Sequence, residues 1–249
     1  MWTNQMKLIK KVHVVYMAHF DVGYTQPSAD ALLDVYATQY FPKVFNVSET
    51  MRTLYPDSPD LQYKWTSHPW LLLSLLQNQT GSVPRGFPDL LESAIRRGDV
   101  LYHANPMNMQ EEAGELVNMD AGMTEAEMLD AYFDQPKKVA ASQKDAVGAT
   151  LGVVSMFNRH GVRMLHIGAN DFSTVPALPS ISAAYHGFCN PFLWGDSQMS
   201  NGTDLLTLYC SGYSGPYELG IETPNMMAVI PGVDEALAYL MHVDNRGPQ

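Results

Sequence analysis

Residues 12–18 read Val-His-Val-Val-Tyr-Met-Ala, a near-continuous apolar and β-branched run broken only by His13. A run without polar alternation suits a strand covered on both faces, as in a parallel sheet flanked by helices. Parallel strands need long crossover connections, usually helical, so this one segment predicts an α/β chain. The pattern downstream agrees. A helical stretch is expected over residues 28–54, with Pro27 near its start and Pro42 breaking it. A short strand is expected at 61–65 and an apolar helix at 69–76. An amphipathic helix over 87–97 closes on Gly98, a left-handed stop, and a strand follows at 100–103. Helices are expected at 124–133, interrupted by Pro136, and at 150–160, ended by Gly161. A second buried strand follows at 162–167. Residues 176–220 are rich in Gly, Ser and Tyr and read as loops carrying short strands such as 205–209, and residues 236–243 are apolar. The fold class is therefore α/β, with parallel strands joined by right-handed crossover helices.

The chain has 249 residues, enough for one large α/β domain. Its net charge of −11 excludes nucleic acid as a partner, since no Lys or Arg run could neutralise phosphates. Such a surface is neutral toward sugars, and most of its acids are expected on solvated helix faces. With Cys189 and Cys210 alone there is no disulfide framework, and two reduced thiols are expected. No apolar signal-peptide region opens the chain and no segment reaches membrane-span length, so a cytoplasmic protein without membrane contact is expected. The sequons at Asn46, Asn78 and Asn201 are then chance matches.

In open α/β folds ligands gather at the carboxyl ends of strands. Those ends carry His19 and Asp21, then His103 through Glu112, then Asn170 and Asp171, then His242 and Asp244. His19 and Asp21 alternate about a strand end, so their side chains can converge, and imidazole plus carboxylate is an ordinary pair of zinc ligands. Gly23 lets the backbone turn just beyond them. A His capping the next helix and an Asp in a turn explain the same residues equally well. Glu111 or Glu112 could bind metal, attack as a nucleophile or move a proton, or simply supply first-turn acidity to a helix. Asp145 reads as a helix-entry residue and Asp244 as a solvated turn residue. His13 reads as a satisfied core or face residue of the first strand, and His160 and His166 as helix-end and strand residues without partner spacing.

Taken in order, these segments resemble glycoside hydrolase family 38, the zinc-dependent α-mannosidases. Residues 12–24, ending in His19-Phe20-Asp21-Val22-Gly23-Tyr24, resemble the family's first strand with its His-x-Asp, Gly and aromatic. Tyr63-Lys64-Trp65 resembles a strand ending in an aromatic residue and Trp. Arg97-Gly98-Asp99-Val100 with Met109-Gln110-Glu111-Glu112-Ala113 resembles the segment leading to Met-x-Asp-Glu-Ala. Asp145-Ala146-Val147-Gly148, a helix, Gly161 and Met164-Leu165-His166-Ile167 resemble the family's Asp-Pro-Phe-Gly, helix, Gly, strand unit. The resemblance implies a distorted (β/α)7 barrel-like domain over residues 12–249, preceded by an extension over 1–11. It implies a carbohydrate substrate, Zn2+ as cofactor, and His19, Asp21 and Glu111 as metal ligands. It further implies a retaining two-step hydrolysis with Glu111 as nucleophile, Asp145 in the substrate pocket and Asp244 as acid/base.

Three departures accompany it. Glu111 stands where the family has the shorter Asp, which shifts the attacking oxygen unless the backbone compensates. A one-residue offset would put Glu112 in that role instead. The family's fourth zinc ligand, a His in a downstream His-Asp segment, is absent, so the chain is expected to be the N-terminal part of a longer architecture. Two alternatives follow: a carbohydrate-binding remnant that has lost the chemistry, and a metal-dependent polysaccharide deacetylase. The second would use a His-x-x-x-His ligand pair, which the sequence lacks.

Overall fold

The computed structural model describes residues 15–17, 22–23, 26–78, 81, 83–109, 114–146, 150–169, 189–195 and 204–210. In chain order these form β1 (Tyr16–Met17), α1 (Ala29–Val35), α2 (Phe41–Leu54), β2 (Trp65–Ser67), α3 (Pro69–Gln77), α4 (Phe87–Arg97) and β3 (Val100–Tyr102). There follow α5 (Leu116–Phe133), β4 (Ala140–Ala146), α6 (Leu151–Arg159), β5 (Met164–Ala169), β6 (Cys189–Trp194) and β7 (Leu205–Cys210). Among the described residues no helix is long and apolar enough to cross a membrane.

The strands order as β1-β2-β3 and β4-β5-β7-β6, all parallel except the β6–β7 pair. One backbone bond, Ala104 N–H to Ala140 O at 2.8 Å, joins β3's exit to β4 and links the two groups. The expected parallel α/β architecture is present. Along the strands, Trp65, Val100, Tyr102, Ala141, Leu165 and Ile167 point to the helix-covered side and are buried. Two apolar clusters form there, and α5 bridges them: Leu129 and Phe133 join the first, Met119 and Met123 the second.

The opposite side of the sheet is polar and curled. In a flat sheet, β1 and β4 would lie three strand spacings apart, about 14 Å. Yet Lys144 Nζ on β4 reaches Met17 O on β1 at 3.5 Å, and Ser142 Oγ lies 3.6 Å from Met17 Sδ. The sheet must therefore bend toward this face, which becomes concave.

Several expected elements shift. Pro42 does not break the helix: Tyr36–Tyr40 forms a π-helical turn, with Phe41 N–H donating to Tyr36 O, and α2 begins just before the proline. The wider turn accommodates a residue whose ring crowds the carbonyl four positions back and which donates no hydrogen bond. The second strand falls at Trp65–Ser67, later than 61–65, because Pro59–Leu61 winds into a 3-10 turn and Trp65 pairs with both Tyr16 and Val100. Helix α5 starts at Leu116, ahead of residue 124, and carries Gly122 in its interior. β4 was not expected as a strand, while β6 and β7 fall in the 176–220 segment expected to carry short strands, β7 over the 205–209 named there. β6 holds Pro191, which an edge strand tolerates, and β6 is the edge of its sheet. The helix over 87–97 and its Gly98 stop are as expected, with Gly98 at φ 76°.

Candidate functional site at the strand ends

Of the residues singled out above, His19, Asp21, Glu111, Glu112 and Asp244 lie outside the described residues, as do Asn170, Asp171 and His242. Asp145 is not the helix-entry residue expected. It sits in β4 near the carboxyl end, where the register with β5 shifts between Lys144 and Ala146. A bulge of that kind re-aims the chain at a strand end.

β4 also organises its surroundings. The buried Asn105 amide donates to Ser142 O at 3.1 Å and to Gln143 Oε1 at 2.9 Å. Gln143 Nε2 donates to Met109 O, and Lys144 N–H donates to Asn108 Oδ1 at 3.1 Å. These bonds fix the loop after β3 as far as Met109, on the approach to Glu111. From the other direction, Lys144 reaches Met17, just before His19. The chain segments adjoining His19/Asp21, adjoining Glu111 and containing Asp145 thus meet around the carboxyl end of β4.

The concave face is lined by groups that the sequence did not single out together. Ser142 and His166 are opposite one another in the β4–β5 register, with Oγ and Nδ1 3.0 Å apart. His166 is thus a partnered residue, not the isolated strand histidine expected. His103 follows β3, and its ring meets that of His68 edge-on at 4.6 Å. His103 Nδ1 accepts the Asn105 backbone N–H at 3.1 Å. An accepting Nδ1 is unprotonated, so the neutral ring carries its proton on Nε2. That Nε2–H has no acceptor among the described residues, and neither Asn105 Oδ1 nor Asn108 Nδ2 has a partner there.

Burial sets the charge states. Loss of solvent pulls His103 down to about 3, with His166 and Lys144 adding to the effect. It pulls His166 down to about 4, helped by Lys144, and Lys144 down to about 8. At neutral pH the face therefore holds two neutral imidazoles and one mostly protonated ammonium. Among the described residues no group of three or more His, Cys, Asp or Glu is placed to hold a metal ion.

Sequence reasoning missed Ser142 and Lys144 because Ala140–Ala146 was not read as a strand. Had it been, the i, i+2 spacing would have put both on one face.

No family model matches the chain, and no curated protein matches it. Among solved structures it is similar to the 4-alpha-glucanotransferase from Thermococcus litoralis, at 14% identity and a TM-score of 0.48. That match covers 78% of this chain and 26% of the other, so the chain spans about a quarter of that protein's length. A likeness this weak carries no statement about the chain.

Proposed function

We propose that the chain is a zinc-dependent retaining glycoside hydrolase of the α-mannosidase type, acting on glycans. The observation that carries this reading is the meeting, at the carboxyl end of β4, of the described neighbours of three predicted site segments. Met17, Met109 and Lys144 come from distant parts of the sequence, and each adjoins or immediately precedes a segment that the family resemblance marks for chemistry. The curl of the polar face supports the further proposal that the strands belong to a distorted (β/α)7 barrel within one domain over residues 12–249.

In this proposal His19, Asp21 and Glu111 would hold the zinc. A metal there would orient two sugar hydroxyls and polarise them. The Glu111 carboxylate attacks the anomeric carbon while Asp244 protonates the departing glycosidic oxygen. Asp244 then takes a proton from water, which releases the sugar from Glu111. Asp145 binds the sugar from the end of β4. His103 is not counted among the ligands: it presents an N–H at Nε2 and uses Nδ1 to accept from Asn105.

Turnover of aryl α-mannosides and of acetylated sugars should be compared in the wild-type chain and in His19→Ala. Mannoside hydrolysis that drops at least a hundredfold in the variant is the expected result. Deacetylation without mannoside cleavage would redirect the assignment to the deacetylases. No turnover and no bound metal in the wild type would leave a carbohydrate-binding remnant.

A further inference from the structure

Lys144 is the one Lys or Arg in the buried set of the described residues, with 5% of its surface exposed. Its stem lies against Gly168, its register partner on β5, where an added Cβ would sit 3.6 Å from Lys144 Cγ. Its Nζ reaches Met17 O at 3.5 Å, and among the side chains the structure describes no carboxylate pairs with it. A buried ammonium with one long bond to a carbonyl is poorly compensated for the water it has lost. His103, on which the Lys144 charge acts, holds a buried Nε2–H without an acceptor among the described residues. These are two hydrogen-bond donors, one charged, on the same concave face, where His166 is neutral. That combination is suited to an oxygen-rich anion.

We infer that Lys144 and His103 form a subsite for an oxyanion substituent, a carboxylate or a sulfate, carried by the sugar ligand. The inference rests on the carbohydrate reading above and names the class of glycan the site takes: an acidic one. The overall charge of −11 does not oppose it: exposed charges beyond about 8–10 Å are largely screened at physiological salt, and of the carboxylates proposed at the same strand end, Asp21 and Glu111 would be offset by the zinc they hold. Charge-assisted bonds from Lys144, with one from a neutral imidazole N–H, would hold the anion without a proton transfer.

The test is calorimetric titration of the full, zinc-equilibrated chain with methyl α-mannoside, mannuronate and mannose 6-sulfate. We expect at least one acidic sugar to bind tenfold or more tightly than the neutral one. The preference should fall to about onefold in Lys144→Met, with folding checked by circular dichroism. A carboxylate preference without a sulfate preference identifies a planar subsite; the reverse identifies a tetrahedral one. Equal binding of neutral and acidic sugars by the wild type overturns this inference and leaves the carbohydrate reading intact. Binding of none of the three overturns both. A preference that persists undiminished in a folded Lys144→Met chain also overturns the inference, and the wild-type comparison decides the question even if that variant does not fold.

Discussion

At the scale of single residues, the concave face is expensive to build, and acid should expose that expense. His103 and His166 are neutral in the fold, with values near 3 and 4, against about 6.5 in the unfolded chain. Between those limits the unfolded state binds more protons, so their contribution is fully present above about pH 6.5 and is lost as pH falls toward the folded values. From pH 6.5 to 5, each histidine costs roughly 1.5 kcal/mol of stability. Glu125 works the other way: burial pushes it up to about 6, which returns on the order of 1 kcal/mol over the same interval. The net expectation is a loss of about 2 kcal/mol, read as a lower urea midpoint at pH 5 than at pH 6.5. An unchanged or higher midpoint at pH 5 would mean that these imidazoles are not neutral in the fold. The sequence showed these histidines but not their state, because the state depends on burial beside Lys144, a long-range consequence of β4 pairing with β5.

At the scale of elements, legibility followed local signal strength. The helix Phe87–Arg97 was readable to the residue because Gly98 supplies a left-handed stop and the apolar face recurs at helical spacing. β4 was not readable. Its Ala-Ala-Ser-Gln-Lys-Asp-Ala has little intrinsic strand preference, and it is extended because β5 pairs along it and Asn105 bonds to its backbone. Helix α5 was read short for a related reason. Gly122 lowers helix propensity, but it is where the helix crosses Pro106, and an added Cβ would lie 2.9 Å from Pro106 Cγ. Pro106 O in turn accepts Trp70 N–H at 3.2 Å, so the contact helps to seat the loop after β3. In Gly122→Ala, a helix gain of about 1 kcal/mol should be outweighed by overpacking of about 1–3 kcal/mol against a rigid ring. The expected outcome is net destabilisation of roughly 1 kcal/mol in denaturant unfolding. A stabilised variant would show that Pro106 yields freely.

At the scale of the whole molecule, the apolar run at residues 12–18 pointed to the right architecture, since parallel strands under helices are what the described residues form, but its described part lacks the cover expected on both faces: Tyr16 and Met17 are half-buried and Val15 is 63% exposed. The curl of the sheet was not legible in the residue pattern; only the family resemblance implied a barrel-like bend. It is set by contacts such as Ser142 with Met17, between residues 125 positions apart. Strand-end chemistry was legible only as a list of residue types. What gathers their neighbours is the side-chain scaffold of β4, in which Gln143 and Lys144 bind Met109, Asn108 and Met17.

The central claim is that these segments assemble one metal site through His19 and Asp21. The most direct measurement is zinc stoichiometry of the purified chain by plasma mass spectrometry after equilibrium dialysis at neutral pH, for the wild type, His19→Ala and Asp21→Ala. The account predicts about one zinc per wild-type chain, from the single ligand set proposed, and loss of that zinc in both folded variants. A wild-type chain that binds no zinc, or zinc that both variants retain in full, would contradict it.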